Sequence, residues 1–194
     1  NGSLIINYQG EMVYSKTFLV SRVAKVLSGL SEQISRNYYC HLDWIVESPS
    51  QYTQNEMQVL GNVIRPRDIP IPEAVNKITL LGEHDLLCAA KNNLTQDASL
   101  HVVFSHPNYL EITCSSISKL NALQYYAATI GIDLKDIIAF GDGENDISML
   151  SKVGLGVAMG NAKPHVKSAA LDVAGDNHEQ GVAIYLSKLF NLKA

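Results

Sequence analysis

Hydrophobic positions follow two rhythms along the chain, and the rhythm changes near residue 115. Before that point, short alternating or β-branched runs dominate. Residues 3–8 and 11–18 flank Gln9-Gly10 and predict a hairpin, with Gly10 supplying the turn. Ser21 is placed to cap a helix in which Val23, Val26, Leu27, Leu30 and Ile34 recur at helical spacing, with Gly29 as an early break. The runs YYCHL and DWIVE, over 37–42 and 43–47, predict a second hairpin. A short polar helix is expected over 51–60, stopped by Gly61. Residues 63–72 carry three prolines and read as loop with extended pieces. Strands are predicted over 76–81, 100–105 and 109–114. A helix over 84–94 places Leu86, Leu87, Ala90 and Leu94 on one side. Strand pairs alternating with helices over 21–113 imply an α+β unit with a largely antiparallel sheet.

From Ser115 onward, helices alternate with short, continuous apolar strands. A helix is predicted over 119–130, with Gly131 as its stop. A strand follows at 137–140, then a helical pattern over 144–152, a glycine-bounded strand at 154–159 and a helix at 164–170. A short strand at 171–174 and a last helix at 180–190 complete the series. This alternation implies a parallel α/β layer. The expected organisation is a core built from residues 1–20 and 114–194, with residues 21–113 inserted as a second unit.

Composition narrows the function classes. A hydrophobic fraction of 46% against 18% charged is that of a globular chain rather than a disordered one. A net charge of −4 offers no basic field, which argues against nucleic acid or an anionic membrane as partner. No apolar run is long enough to cross a bilayer, and the start, NGSLIINYQG, lacks the features of a signal peptide. The chain opens on Asn1 rather than Met, so the expectation is that an upstream segment was removed or that the sequence starts inside a longer gene product. Cys40, Cys88 and Cys114 have neither C-x-x-C nor zinc spacing and are expected to be buried reduced thiols of a cytoplasmic protein. The six histidines are scattered, and none stands out as a ligand.

The chemistry concentrates in residues 137–161, IIAFGDGENDISMLSKVGLGVAMGN. An apolar strand runs into Gly141-Asp142-Gly143 and then into a helix start. In open α/β sheets, ligands sit at the carboxyl ends of the strands, which is where Asp142 falls. Asp146 lies about one helical turn further on, so both carboxylates can face one space. Two carboxylates close together repel unless one is protonated or a cation lies between them. Mg²⁺ suits a site where one or two carboxylates share the ion with phosphate and water. Taken alone, the string also fits a helix-capping Asp142 and a solvated first-turn Asp146.

GDGENDISML, GVAMGNA, VKSAA and HEQGVA together resemble the C-terminal half of the haloacid dehalogenase (HAD) superfamily, in particular the Cof-type phosphatases with an α/β cap. The resemblance extends to Tyr109-Leu110-Glu111-Ile112, to Ser118-Lys119 and to Asn1-Gly2-Ser3-Leu4, and so spans most of the chain. It implies a HAD-like Rossmannoid parallel-sheet core with an inserted α+β cap. It also implies Mg²⁺-dependent hydrolysis of small phosphorylated metabolites, sugar phosphates above all, through an aspartyl-phosphate. The family's nucleophile and its acid–base aspartate sit in a D-x-D-G-T motif near the N-terminus, and this sequence does not contain that motif. The chain by itself is therefore expected to be inactive, with an exposed core edge that favours self-association.

By the same resemblance, Lys119 would hold nucleophile and phosphate, although Leu120 stands where the family commonly has Gly. Asp142 would bind Mg²⁺ directly, and Asp146 would do so through water or as an orienting group. Asn145 and Asn161 would contact the phosphate side of the site. Tyr38, Tyr39, Trp44 and Arg65 read as packing or surface residues. A non-catalytic ligand- or partner-binding fragment, or a phosphomutase of the same fold, are the alternatives.

Overall fold

The computed structural model describes residues 1–47, 49–59 and 67–192; Gly61 and Arg65 lie outside them. The chain divides into two units, one of residues 6–117 and one of residues 1–5 with 118–194. Strand β1 (Leu4–Ile6) straddles the division.

In the unit of residues 6–117, a tight turn follows β1. Asn7 holds it, accepting from Gly10 N–H at 3.0 Å on its carbonyl and from Glu11 N–H at 2.9 Å on Oδ1. Next come β2 (Met12–Ser15), β3 (Phe18–Leu19), α1 (Ala24–Ser28), β4 (Ser35–Cys40), β5 (Asp43–Val46) and α2 (Gln51–Val59). Then follow β6 (Ala74–Val75), β7 (Lys77–Leu81), α3 (His84–Leu94), β8 (Leu100–His106) and β9 (Tyr109–Cys114). Five strands form an antiparallel sheet in the order β5-β4-β7-β9-β8, and β3 pairs with β6 beside it. The register puts Tyr38 opposite Ile78, Ile78 opposite Ile112, and Leu80 opposite Leu110, so one face of the pleat is apolar. Leu87, Ala90 and Leu94 of α3 bury themselves in the same cluster.

Two expectations change here. The helix predicted from Ser21 ends at Ser28, with Gly29 as its C-cap. Ile34, read as its last apolar position, is instead buried where the chain turns into β4, with its N–H donating to the Ser31 carbonyl. Residues 6–20, assigned to the core from sequence, fall in this unit. The β3–β6 pairing ties them there. So does Asn76, whose amide donates to Ser15 Oγ at 2.9 Å and to the Lys16 carbonyl at 3.0 Å.

The other unit contains α4 (Lys119–Ile130), β10 (Ile138–Gly141), α5 (Ile147–Leu150), β11 (Leu155–Ala158), α6 (Pro164–Lys167), β12 (Asp172–Val173) and α7 (Gly181–Leu189). Gly131 ends α4 in the left-handed region at φ 71°, and the Ile132 N–H closes back onto the Ala127 carbonyl. The three strands are parallel, in the order β10-β11-β12, with Ile138 opposite Leu155 and Gly141 opposite Ala158. Ala139, Ala158, Leu150 and Val166 pack in one cluster, while Val157, Met159 and Ala174 pack with Phe140 and Tyr185 in another. Alternate residues of β10 and β11 thus feed two cores, which is why these strands read as continuous apolar runs.

Candidate active site

Three loops leave the carboxyl ends of β10, β11 and β12, and the acidic loop is the first. It doubles back tightly. A Cβ at Gly141 would lie 2.5 Å from the Asp146 Cβ, so only glycine fits there. Glu144–Asp146 form a single 3₁₀ turn ahead of α5, not the start of one continuous helix. That turn swings the Asp146 carboxylate inward, where its Oδ2 accepts from the consecutive N–H groups of Asp142 at 3.1 Å and Gly143 at 3.0 Å.

The other oxygen, Oδ1, accepts from Lys119 Nζ at 2.5 Å. Lys119 is the first residue of α4, placed by Ser118, whose side chain caps the helix by accepting from the Asn121 N–H at 3.0 Å. The Asp146 side chain is 3% exposed and that of Lys119 36%, so the ammonium reaches the surface over a buried carboxylate.

Asp142 faces the other way. It is exposed, and its Oδ2 accepts from Asn161 Nδ2 at 2.8 Å. Asn161 sits on the loop after β11 and also accepts from the Asn177 N–H, on the loop after β12, at 3.3 Å. One amide therefore links all three loops. Asn145 is exposed and donates to Asn1 Oδ1 at 3.4 Å. The structure thus pairs Lys119 with Asp146 and Asp142 with Asn161, and places Asn145 beside Asn1.

The two carboxylates do not face one space, as the spacing suggested. Asp146 is neutralised by an ammonium and two N–H donors, and only Asp142 of the pair is turned outward. Among the described residues, no group of three or more His, Cys, Asp or Glu side chains could hold a metal ion.

Sequence reasoning missed the rim of the site. Lys163 Nζ donates to Glu144 Oε1 at 3.1 Å, and His165 approaches the same oxygen at 3.4 Å. The Lys163 bond and charge, then His165, hold the Glu144 carboxyl below its usual range. Lys167 Nζ donates to the Gly160 carbonyl at 2.5 Å, fixing the loop that carries Asn161. Lys163 precedes and Lys167 ends the short helix opened by Pro164, and a cation-rich turn beside an acidic loop was the available signal.

Residues 1–186 match the family of haloacid dehalogenase-like hydrolases. The chain belongs to that family. It is 38% identical over 194 residues to the HMP-PP phosphatase of Cronobacter sakazakii, covering 96% of this chain and 71% of that protein. The crystal structure of a haloacid dehalogenase-like hydrolase from Bacteroides thetaiotaomicron superimposes with a TM-score of 0.84 at 32% identity, covering 97% of this chain and 74% of that one. The HAD subclass IIB sugar phosphatase BT4131 superimposes with a TM-score of 0.73 at 22% identity, over all of this chain and 74% of that one, and so shares the fold. The chain is thus a HAD-like α/β protein of the Cof type, from a family of phosphatases. No helix among the described residues is long and apolar enough to cross a membrane.

Proposed function

We propose that these residues serve a Mg²⁺-dependent phosphomonoesterase acting on small phosphorylated metabolites, sugar phosphates included. The observation that supports this best is the division of labour on one loop. Lys119 is anchored on the buried Asp146 while Asp142 is presented to solvent, steadied by Asn161.

The donor set fits Mg²⁺. An ion of this kind takes one or two protein carboxylates and completes its octahedron with water and substrate phosphate. Asp142 would hold it, with Asp146 as an orienting group rather than a direct ligand. When bound, the ion would neutralise charge on the phosphoryl oxygens. Lys119 would present its ammonium to the same oxygens, and its tether to Asp146 limits the reorganisation needed in the transition state. Asn145 and Asn161 would orient the phosphate through their amides.

In the proposed route an aspartate attacks phosphorus and a second aspartate handles the proton. Both belong to a D-x-D-G-T motif that the 194 residues do not contain. The 194-residue chain alone is therefore expected to bind without turnover. Self-association is part of the same proposal: among the described residues β10 pairs on one edge only, and Ile130, Ile132, Leu171, Phe190 and Leu192 are exposed in this unit. Three free cysteines are consistent with a reducing, cytoplasmic setting.

The test joins the 194 residues behind a segment carrying the family's D-x-D-G-T motif and assays phosphate release from a panel of sugar phosphates and HMP-PP. Release that needs Mg²⁺ and is lost in Asp142→Ala is expected. No release from any substrate would overturn the reading in favour of a non-catalytic binding protein, and conversion between phosphate esters without release would favour a phosphomutase. Turnover by the unfused chain would refute the aspartyl-phosphate route.

A further inference from the structure

Outside the acidic loop, the unit of residues 6–117 displays a second group of reactive side chains. His84, Cys88 and Lys91 stand at i, i+4 and i+7 along α3 and form one stripe. Phe104 of β8 lies against that stripe. The His84 ring sits 4.9 Å from the Phe104 ring, and the Lys91 ammonium lies over the same ring at 5.1 Å.

His84 Nδ1 lies 2.9 Å from the Pro107 carbonyl, an oxygen that can only accept. The Nδ1 proton is therefore committed, and Nε2 keeps its lone pair. Cys88 Sγ lies 3.5 Å from that Nε2. A thiol facing an imidazole whose tautomer is fixed from behind is the arrangement that lets a cysteine lose its proton to a neighbour.

The other two cysteines differ. All three are free and partly exposed rather than buried, but Cys40 and Cys114 pack against the apolar cluster and Cys88 does not. Burial pushes the Cys40 thiol up. At Cys114 burial works the same way, but the Ser116 hydroxyl and N–H, with Lys16 and Arg22, bring the thiol below its ordinary value. Cys40 Sγ lies 3.9 Å from His41 Nδ1, and Cys114 Sγ lies 3.1 Å from Ser116 Oγ.

We propose that Cys88, with His84 as its base, is a thiol-modification site that exchanges with small anionic disulfides. The sulfur electron pair of Cys88 attacks one sulfur of the incoming disulfide while the thiol proton passes to His84 Nε2. The reagent's S–S bond breaks, and its second half leaves as a thiolate that takes the proton back. One S–S bond is lost and one formed, and no further oxidant is needed. Lys91 supplies the charge complement to the carboxylates of such a reagent, and Phe104 is the apolar floor between Lys91 and His84.

The experiment exposes the 194-residue chain to oxidised glutathione and maps the adducts by peptide mass spectrometry over time. The mixed disulfide is expected at Cys88 ahead of Cys40 and Cys114. His84→Ala should slow Cys88 by at least about tenfold, as loss of a general base does, and leave the other two rates unchanged. Lys91→Ala should slow glutathione disulfide but not the uncharged bis(2-hydroxyethyl) disulfide. Earlier labelling of Cys40 or Cys114 in the unmodified chain would overturn the proposal, as would equal Cys88 rates with and without His84. The unmodified chain decides the first point even if a variant fails to fold.

Discussion

Replacing Lys119 with methionine keeps the aliphatic stem and removes the cation, leaving Asp146 buried with only its two N–H donors. The pair is closed at 2.5 Å between side chains that are 36% and 3% exposed, so it is neither a surface bridge nor a fully desolvated one. Breaking a fully buried pair by removing one partner costs about 3–5 kcal/mol, whereas exposed pairs are worth about 0.2–1 kcal/mol. The ammonium end is open to water, and half of the carboxylate keeps its N–H partners, so about 2 kcal/mol is expected, roughly a 30-fold change in the opening equilibrium. Trp44, the single tryptophan, lies in the other unit and is the wrong probe. Amide exchange at Asp142 and Gly143 is the right one, because both N–H groups end on Asp146. Asp146→Asn keeps a single acceptor oxygen, which can serve the two N–H groups or Lys119 but not both, so it should break the pair and raise exchange at 142 and 143 less than Lys119→Met lowers stability. The double variant should cost less than the sum of the singles, by about 1–2 kcal/mol. Additivity within about 0.5 kcal/mol, with unchanged exchange at 142 and 143, would refute the view that Lys119 and Asp146 act as one unit.

Gly141→Ala should push Asp146 off the loop, because the new methyl would lie 2.5 Å from its Cβ; a loss of about 1–3 kcal/mol by thermal melting is expected, with faster exchange at Gly143. Tyr185→Phe tests a pH effect. The Val173 N–H and then the Tyr185 hydroxyl hold the Asp172 carboxyl below its usual range, so its contribution is complete above the ordinary Asp range and is lost as pH falls through the lowered value. Removing the hydroxyl should raise the Asp172 midpoint in a carboxyl-carbon NMR titration, and an unchanged midpoint would contradict the assignment. Leu110→Ala, at a fully buried position between β7 and β8, should cost about 2–5 kcal/mol and lower the urea midpoint followed by Trp44 fluorescence.

Much of this arrangement was legible where one local rule decides the backbone. Helix α3 runs over the span its apolar spacing predicts, and Gly131 stops α4 because only a residue tolerant of positive φ fits the left-handed cap. The two apolar strands β10 and β11 were read as buried because no polar residue interrupts them. The errors arise where two rules compete. Spacing alone ran the first helix of the 6–117 unit on to Ile34, but Gly29 and the turn at Ser31 give Ile34 a buried place without helix. The boundary near residue 20 was drawn where the first hairpin gives way to a helical pattern, whereas the attachment of residues 15–19 depends on Asn76 and on pairing with β6, both more than fifty residues away.

The same competition governs the acids. A spacing of four residues places Asp142 and Asp146 on one face only if the backbone between them is α-helical. Here Gly143 is extended and residues 144–146 form a 3₁₀ turn, which rotates the second carboxylate beneath the first residue's own N–H. Once turned inward, Asp146 needs positive charge, and the chain supplies it from Lys119, 27 residues earlier and held at the start of its helix by Ser118. A lysine there works against the helix dipole, which favours anions at that end. The Asp146 carboxylate offsets that conflict, and each of the two residues is placed in a locally unfavourable position that the other makes tenable. Local spacing could suggest that two acids matter, but only the tertiary fold could distinguish the one that anchors a lysine from the one left free to meet a ligand.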